Sequence, residues 1–102
     1  MLPTSDLLAR ATQLFKQGNC AEADTICAQL SDNESHAAEV LRLRGFIALH
    51  KQNPARAVEL FQQAAKLKPT SAAYHDLLGT AYREAGDSEQ ATASYRAAIQ
   101  CE

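Results

Sequence analysis

The sequence repeats itself every 34 residues, and this period limits the possible folds more severely than any other property of the chain. Three short tracts, Gln17-Gly18-Asn19, Lys51-Gln52-Asn53 and Ala85-Gly86-Asp87, are separated by that interval. Each ends in Asn or Asp, side chains that accept hydrogen bonds from the free N–H groups opening a helix. Glu22 follows Asn19 by three residues and Gln90 follows Asp87 by three, the spacing of a capping box. Pro54 follows Asn53 directly and suits the first helical position, where its missing N–H costs nothing. One helix therefore ends before each tract and another begins after it.

The same period runs through the intervening segments. Ala23, Ala57 and Ala91 are in register, and Cys27, Phe61 and Tyr95 follow them by four residues, one turn along the same helical face. Leu30, Ala64 and Ala98 come a turn later. Upstream, Ala11, Gly45 and Gly79 align, and residues this small let two helices approach closely. Leu14, Ala48 and Tyr82 follow these by three. The pattern predicts six helices at about 5–17, 20–31, 36–51, 54–67, 71–85 and 88–101. Pro69, Thr70 and Ser71 end one helix and cap the next, and Ser31-Asp32-Asn33-Glu34-Ser35 is a polar connector in the matching place. Nothing alternates with period two, so no strand is expected.

Composition agrees with a helical domain and narrows the function. At 102 residues there is room for one domain, and 46% apolar with 22% charged residues excludes wholesale disorder. Ten Lys and Arg against twelve Asp and Glu give a net charge of −2, which disfavours a nucleic-acid partner because binding a polyanion calls for a basic excess. The N-terminal residues carry neither a basic nor an apolar leader segment, and no apolar run approaches the length of a membrane span, so a cytoplasmic, membrane-free location is expected. Cys20, Cys27 and Cys101 are odd in number and irregular in spacing. Cys20 and Cys27 would stand about 10 Å apart along a helix, too far to bridge, and all three read as small thiols in a reducing compartment.

These aligned positions resemble the tetratricopeptide repeat family, whose pattern runs aromatic–x₂–Leu–Gly–x₂–Tyr, then Ala–x₃–Phe, then Pro. Leu78-Gly79, Tyr82, Ala91 and Tyr95 carry it best, with His75 where the family often has tryptophan. Gly45, Ala57, Phe61, Ala64 and Pro69 supply a second copy, while Ala11, Leu14, Ala23 and Cys27 match a third in size or polarity. The resemblance implies an all-α superhelix, or solenoid, of three helix-turn-helix hairpins with repeats at about 4–37, 38–71 and 72–102 in one domain. Two features depart from the pattern. Arg10 and Arg44 occupy the position of Leu78, so that either these helices rotate slightly or, the favoured reading, the stems are buried beneath outward guanidinium groups. The third repeat also ends without a following polar helix, which would leave Tyr82, Tyr95, Ala98 and Ile99 as an apolar end open to self-association or to a further repeat of a longer array.

The resemblance further implies a scaffold that holds a protein or peptide in a concave groove lined by the first helix of each hairpin. Carried over by position, that groove draws on Leu8, Thr12 and Phe15, on Arg42, Phe46, Leu49 and His50, and on Asp76, Thr80, Arg83 and Glu84. An apolar middle with a polar rim suits a helix or an extended peptide. The positions used by relatives that clamp carboxylate-terminated chaperone tails are here Leu8, Thr12, Leu43, Ala73 and Leu77, none able to donate a charged hydrogen bond, which argues against that ligand. No phosphate-cradling loop is present, His36, His50 and His75 are isolated, and no catalytic, cofactor or metal constellation is expected. Two other readings are an arm of a larger enzyme, as in bacterial proteins where similar repeats precede sulfotransferase or glycosyltransferase domains, and a self-assembling unit built through Tyr82, Tyr95 and Ile99.

Overall fold

The computed structural model describes residues 3–30 and 36–101. The chain forms six helices: α1 (Thr4–Lys16), α2 (Cys20–Leu30), α3 (Ala37–His50), α4 (Pro54–Leu67), α5 (Ala72–Glu84) and α6 (Ser88–Gln100). No strand occurs among the described residues, and the connector expected at 31–35 lies outside them. The expected helix boundaries hold to within two residues wherever they fall on described positions, because the signals that set them are local hydrogen bonds.

Those bonds recur from hairpin to hairpin. Asn19 Oδ1 accepts from Glu22 N at 3.4 Å, Asn53 Oδ1 from Arg56 N at 3.3 Å, and Asp87 Oδ1 from Gln90 N at 3.1 Å. Ser71 caps α5 by accepting from Tyr74 N. The preceding helices end alike, with Asn19 N donating to Leu14 O, Asn53 N to Ala48 O and Asp87 N to Tyr82 O. This six-to-one bond closes a Schellman turn, which needs a left-handed residue just past the helix. Gly18 and Gly86 supply it with φ +86°, and Gln52 takes the same place at φ 61°.

The second and third hairpins each close around a glycine and a ring. A Cβ at Gly45 would stand 2.6 Å from Phe61 Cζ, and one at Gly79 would stand 2.7 Å from Tyr95 Cε1. The period-aligned glycines therefore exist to seat the rings of the second helix. Phe61 is fully buried and anchors a cluster with Ala48, Ala57, Leu60, Leu78 and Ala81 that joins α3, α4 and α5. A second cluster, with Ala11, Ala23, Cys27, Leu30, Val40, Leu43 and Ile47, joins α1, α2 and α3. The described molecule is an elongated slab of 43 × 26 × 19 Å.

The two places where one hairpin meets the next differ in chemistry. Val58 of α4 and Leu78 of α5 both belong to the apolar cluster there, and Tyr82 closes the seam with its hydroxyl accepting from Gln62 Nε2 at 2.9 Å. One period earlier, on α2 and α3, the same positions hold Asp24, Arg44 and Ala48. Arg44 Nε lies 3.9 Å from Asp24 Oδ1, with the two side chains 27% and 43% exposed. The expected snorkelling thus fits Arg44. It does not fit Arg10, which is exposed: Leu78 is covered by α4, and no described helix stands in that relation to α1.

Candidate functional site

The first helices of the hairpins, α1, α3 and α5, bring some of the expected groove residues together and separate others. Thr12, Phe15, Arg42 and Phe46 line one cleft of about 290 Å³ between α1 and α3. Phe15 and Phe46 stack with centroids 6.2 Å apart and planes inclined by 23°. Phe46 meets the buried Phe61 edge-on at 5.7 Å, and His50 meets Phe15 edge-on at 6.0 Å. A line of four rings therefore runs from the exposed His50 to the core. Phe15 and Phe46 pack between helices and also keep part of their surface open, so they serve as core and as cleft wall at once.

Two further residues complete this cleft, Lys16 and Leu43. Lys16 lies one turn beyond Thr12 on the same face, a spacing that could have found it. Leu43 is buried and forms the floor. Lys16 and Arg42 are both exposed cations beside the aromatic pair, so the cleft presents an apolar wall with a positive rim.

Leu49, Thr80 and Glu84 line a separate cleft of about 270 Å³ between α3 and α5, where Gln52 and Pro54 complete the wall. Thr80 is half-buried, bonded through its hydroxyl to Asp76 O at 3.1 Å and to the Tyr95 hydroxyl at 3.2 Å. Arg83 is exposed and 4.0 Å from Glu84. Leu8 leans on the first apolar cluster and lines neither cleft. Asp76 lies elsewhere, in a cleft at the α5–α6 end with Tyr95, Ala98 and Ile99.

Of the residues proposed for self-association, Tyr82 is half-buried against α4 and Tyr95 is half-buried against Gly79, whereas Ile99 is 69% exposed. The histidines are dispersed. His75 is half-buried with Nε2 2.8 Å from Pro69 O, and since a carbonyl only accepts, that nitrogen carries the proton. Among the described residues no three His, Cys, Asp or Glu side chains converge on a common point. The Cys27 thiol is fully buried and pushed up to about 11 by burial first and the Asp24 carboxylate second, against the opposing pull of Arg44. Burial, with Glu39 nearby, likewise raises the Tyr74 phenol, and Arg42 opposes it. No helix among the described residues is long and apolar enough to cross a membrane.

Aligned small residues, rings seated on glycines and hairpins joined through recurring Schellman turns are the anatomy of a helical repeat array. No curated protein matches the chain. Models of the tetratricopeptide repeat match residues 8–72 and 72–100, nearly its whole length. Repeats of this kind are typically non-catalytic and mediate protein–protein interaction, and the chain belongs to the tetratricopeptide repeat family.

Proposed function

We propose that the chain is a protein-binding scaffold, not an enzyme, and that it holds an extended or helical segment of its partner along α1, α3 and α5. The observation that carries this reading is the stacked, half-open pair Phe15 and Phe46 on a cleft rimmed by Lys16 and Arg42. Rigid aromatic anchors in a pocket, ringed by polar groups that exclude water, are the usual seat of binding energy. The positive rim favours a segment in which an apolar side chain has an acidic neighbour. Leu49, Thr80 and Glu84 would extend the contact towards the third hairpin. The same reading is preferred over assembly through the α5–α6 end, because of Tyr82, Tyr95 and Ile99 only Ile99 is exposed.

The test is selection of peptides from a displayed random library on the immobilised chain, followed by binding to the F46A/R42E variant. The selected peptides carry an acidic residue beside an apolar one, and the double substitution lowers their affinity at least about a hundredfold, as expected for loss of an anchor and reversal of a rim charge. Circular dichroism stays unchanged. Peptides that bind the variant as tightly as the parent would remove the groove assignment.

A further inference from the structure

The seam between α2 and α3 opens into a cleft. Ala48 stands where Tyr82 fills the later seam, and the side chain missing at that point leaves a cleft of about 270 Å³. Its apolar floor comes from Ile47, Ala48 and Leu60, all buried. Its rim carries three cations, Arg44, Lys51 and Arg56, against one acid, Asp24.

The cations are incompletely used. The Arg44–Asp24 separation of 3.9 Å is the outer edge of an ion pair, so a closer anion would compete for the guanidinium. Arg56 gives one N–H to Glu59 Oε2 at 2.9 Å and keeps its other donors. Lys51 is exposed and in no ion pair with a described residue. Asn53 and the start of the 14-residue α4 form part of the wall, which adds the positive end of a helix dipole. The cleft draws on α2, α3 and α4 and is separate from the one that Phe15 and Phe46 line.

We propose that this cleft binds a carboxylate carried on a short apolar stem. The stem lies on Ile47, Ala48 and Leu60, in the space a tyrosine ring occupies one period later. The carboxylate reaches Arg44 and Lys51, and Asp24 yields its hold on Arg44. Such a group comes either from a free aliphatic acid or from an acidic residue flanked by an apolar one in a partner chain. The proposal does not depend on the concave-groove reading.

The experiment is a nuclear magnetic resonance titration of the full chain with three probes: sodium hexanoate, N-acetyl-Leu-Glu-amide and inorganic phosphate. A saturable shift confined to the resonances of Ala48, Lys51 and the Arg44 side chain supports the site. Hexanoate acting alone identifies a free acid as the ligand, and the peptide acting alone or more strongly identifies an acidic segment. K51Q, an exposed substitution, lowers the affinity about threefold, and D24N raises it about threefold, the scale of a partly screened charge. No saturable shift with hexanoate or peptide would overturn the proposal. So would equal shifts with phosphate, which has no stem for the apolar floor, or affinities indifferent to both variants.

Discussion

Val58 and Leu78 meet in an apolar cluster where the second hairpin joins the third; Asp24 and Arg44 meet at 3.9 Å where the first joins the second. The same caps and turns recur one period apart, while the side chains at the two seams differ. Around Phe61 the later seam is closed by Leu78 and by Tyr82 bonded to Gln62. The earlier seam has the smaller Cys27 in the place of Phe61 and Ala48 in the place of Tyr82, and it stays open as a polar cleft. In a solenoid each hairpin is held by its own stability plus its contact with the next. The α1–α2 hairpin should therefore open at a lower free energy than α3 to α6, although it contributes Phe15 and Thr12 to the candidate groove.

The largest effect should come from deleting the ring at the centre of the better seam. Phe61→Ala removes a fully buried aromatic that touches Gly45, Phe46 and the α4–α5 cluster, and should cost about 3–5 kcal/mol in chemical denaturation. Cys27→Ala, one period earlier, removes a single sulfur and should cost about 1 kcal/mol. Equal losses would mean that the two seams contribute equally and that the asymmetry drawn from their side chains is mistaken.

What could be read from the sequence divides along the same line. Caps and helix ends were legible because each depends on residues within about one helical turn, and the small-residue positions because they recur with the 34-residue period. Arg10 and Arg44 looked like one departure repeated, since both occupy the position of Leu78. Only the stacking order separates them: α2 sets Asp24 against Arg44, and no described helix covers Arg10. The shared cleft of the candidate site was legible in part. Thr12, Phe15, Arg42 and Phe46 share a cleft because they lie on facing stripes of α1 and α3, whereas Asp76, one period after Arg42, turns to a cleft walled by α6. A fixed period assigns equivalent positions, but the neighbours that give them different surroundings come from elsewhere in the chain.

Alkali should weaken the first hairpin through Cys27. The buried thiol has its ordinary value of 9.0 raised to about 11, so the folded chain keeps its proton while the unfolded chain ionises. Below pH 9 this costs nothing. As pH rises from about 9 to about 11 the unfolded state binds fewer protons than the folded one, and stability falls by up to about 2 kcal/mol. Tyr74 is shifted in the same direction and adds to the fall from about pH 10 upward. The Cys27→Ala variant isolates the thiol: its stability should decline less over this range, and an unchanged decline would assign the effect to Tyr74.

Replacing the polar seam with the apolar one should stabilise the first hairpin against the second. The double variant D24V/R44L imports the Val58–Leu78 pair, exchanging a half-exposed ion pair for apolar contact. A gain of about 1–2 kcal/mol is expected, since such pairs rarely repay their desolvation against well-packed hydrophobic residues. Hydrogen exchange should show the gain in α1 and α2, whose amides approach the protection of α3 and α4. A loss of stability would mean that the Asp24–Arg44 pair fixes how the hairpins stack.

The smallest effect concerns a place where the hairpins match in backbone and differ in residue. Gly18, Gln52 and Gly86 all take positive φ in the turn that ends the first helix of each pair. Glycine adopts this conformation without a Cβ penalty, whereas glutamine pays for it in steric strain. Gln52 also lines the cleft beside Leu49, Thr80 and Glu84, which gives a side chain at this position something to touch. Relief of strain and loss of that contact oppose each other, and strain is the larger because Gln52 is exposed. Gln52→Gly should therefore stabilise the chain by about 0.5–1 kcal/mol in thermal or denaturant unfolding, while Gly18→Gln and Gly86→Gln should each cost a similar amount. A neutral or destabilising Gln52→Gly would make the contact with the α3–α5 cleft the stronger influence on the turn.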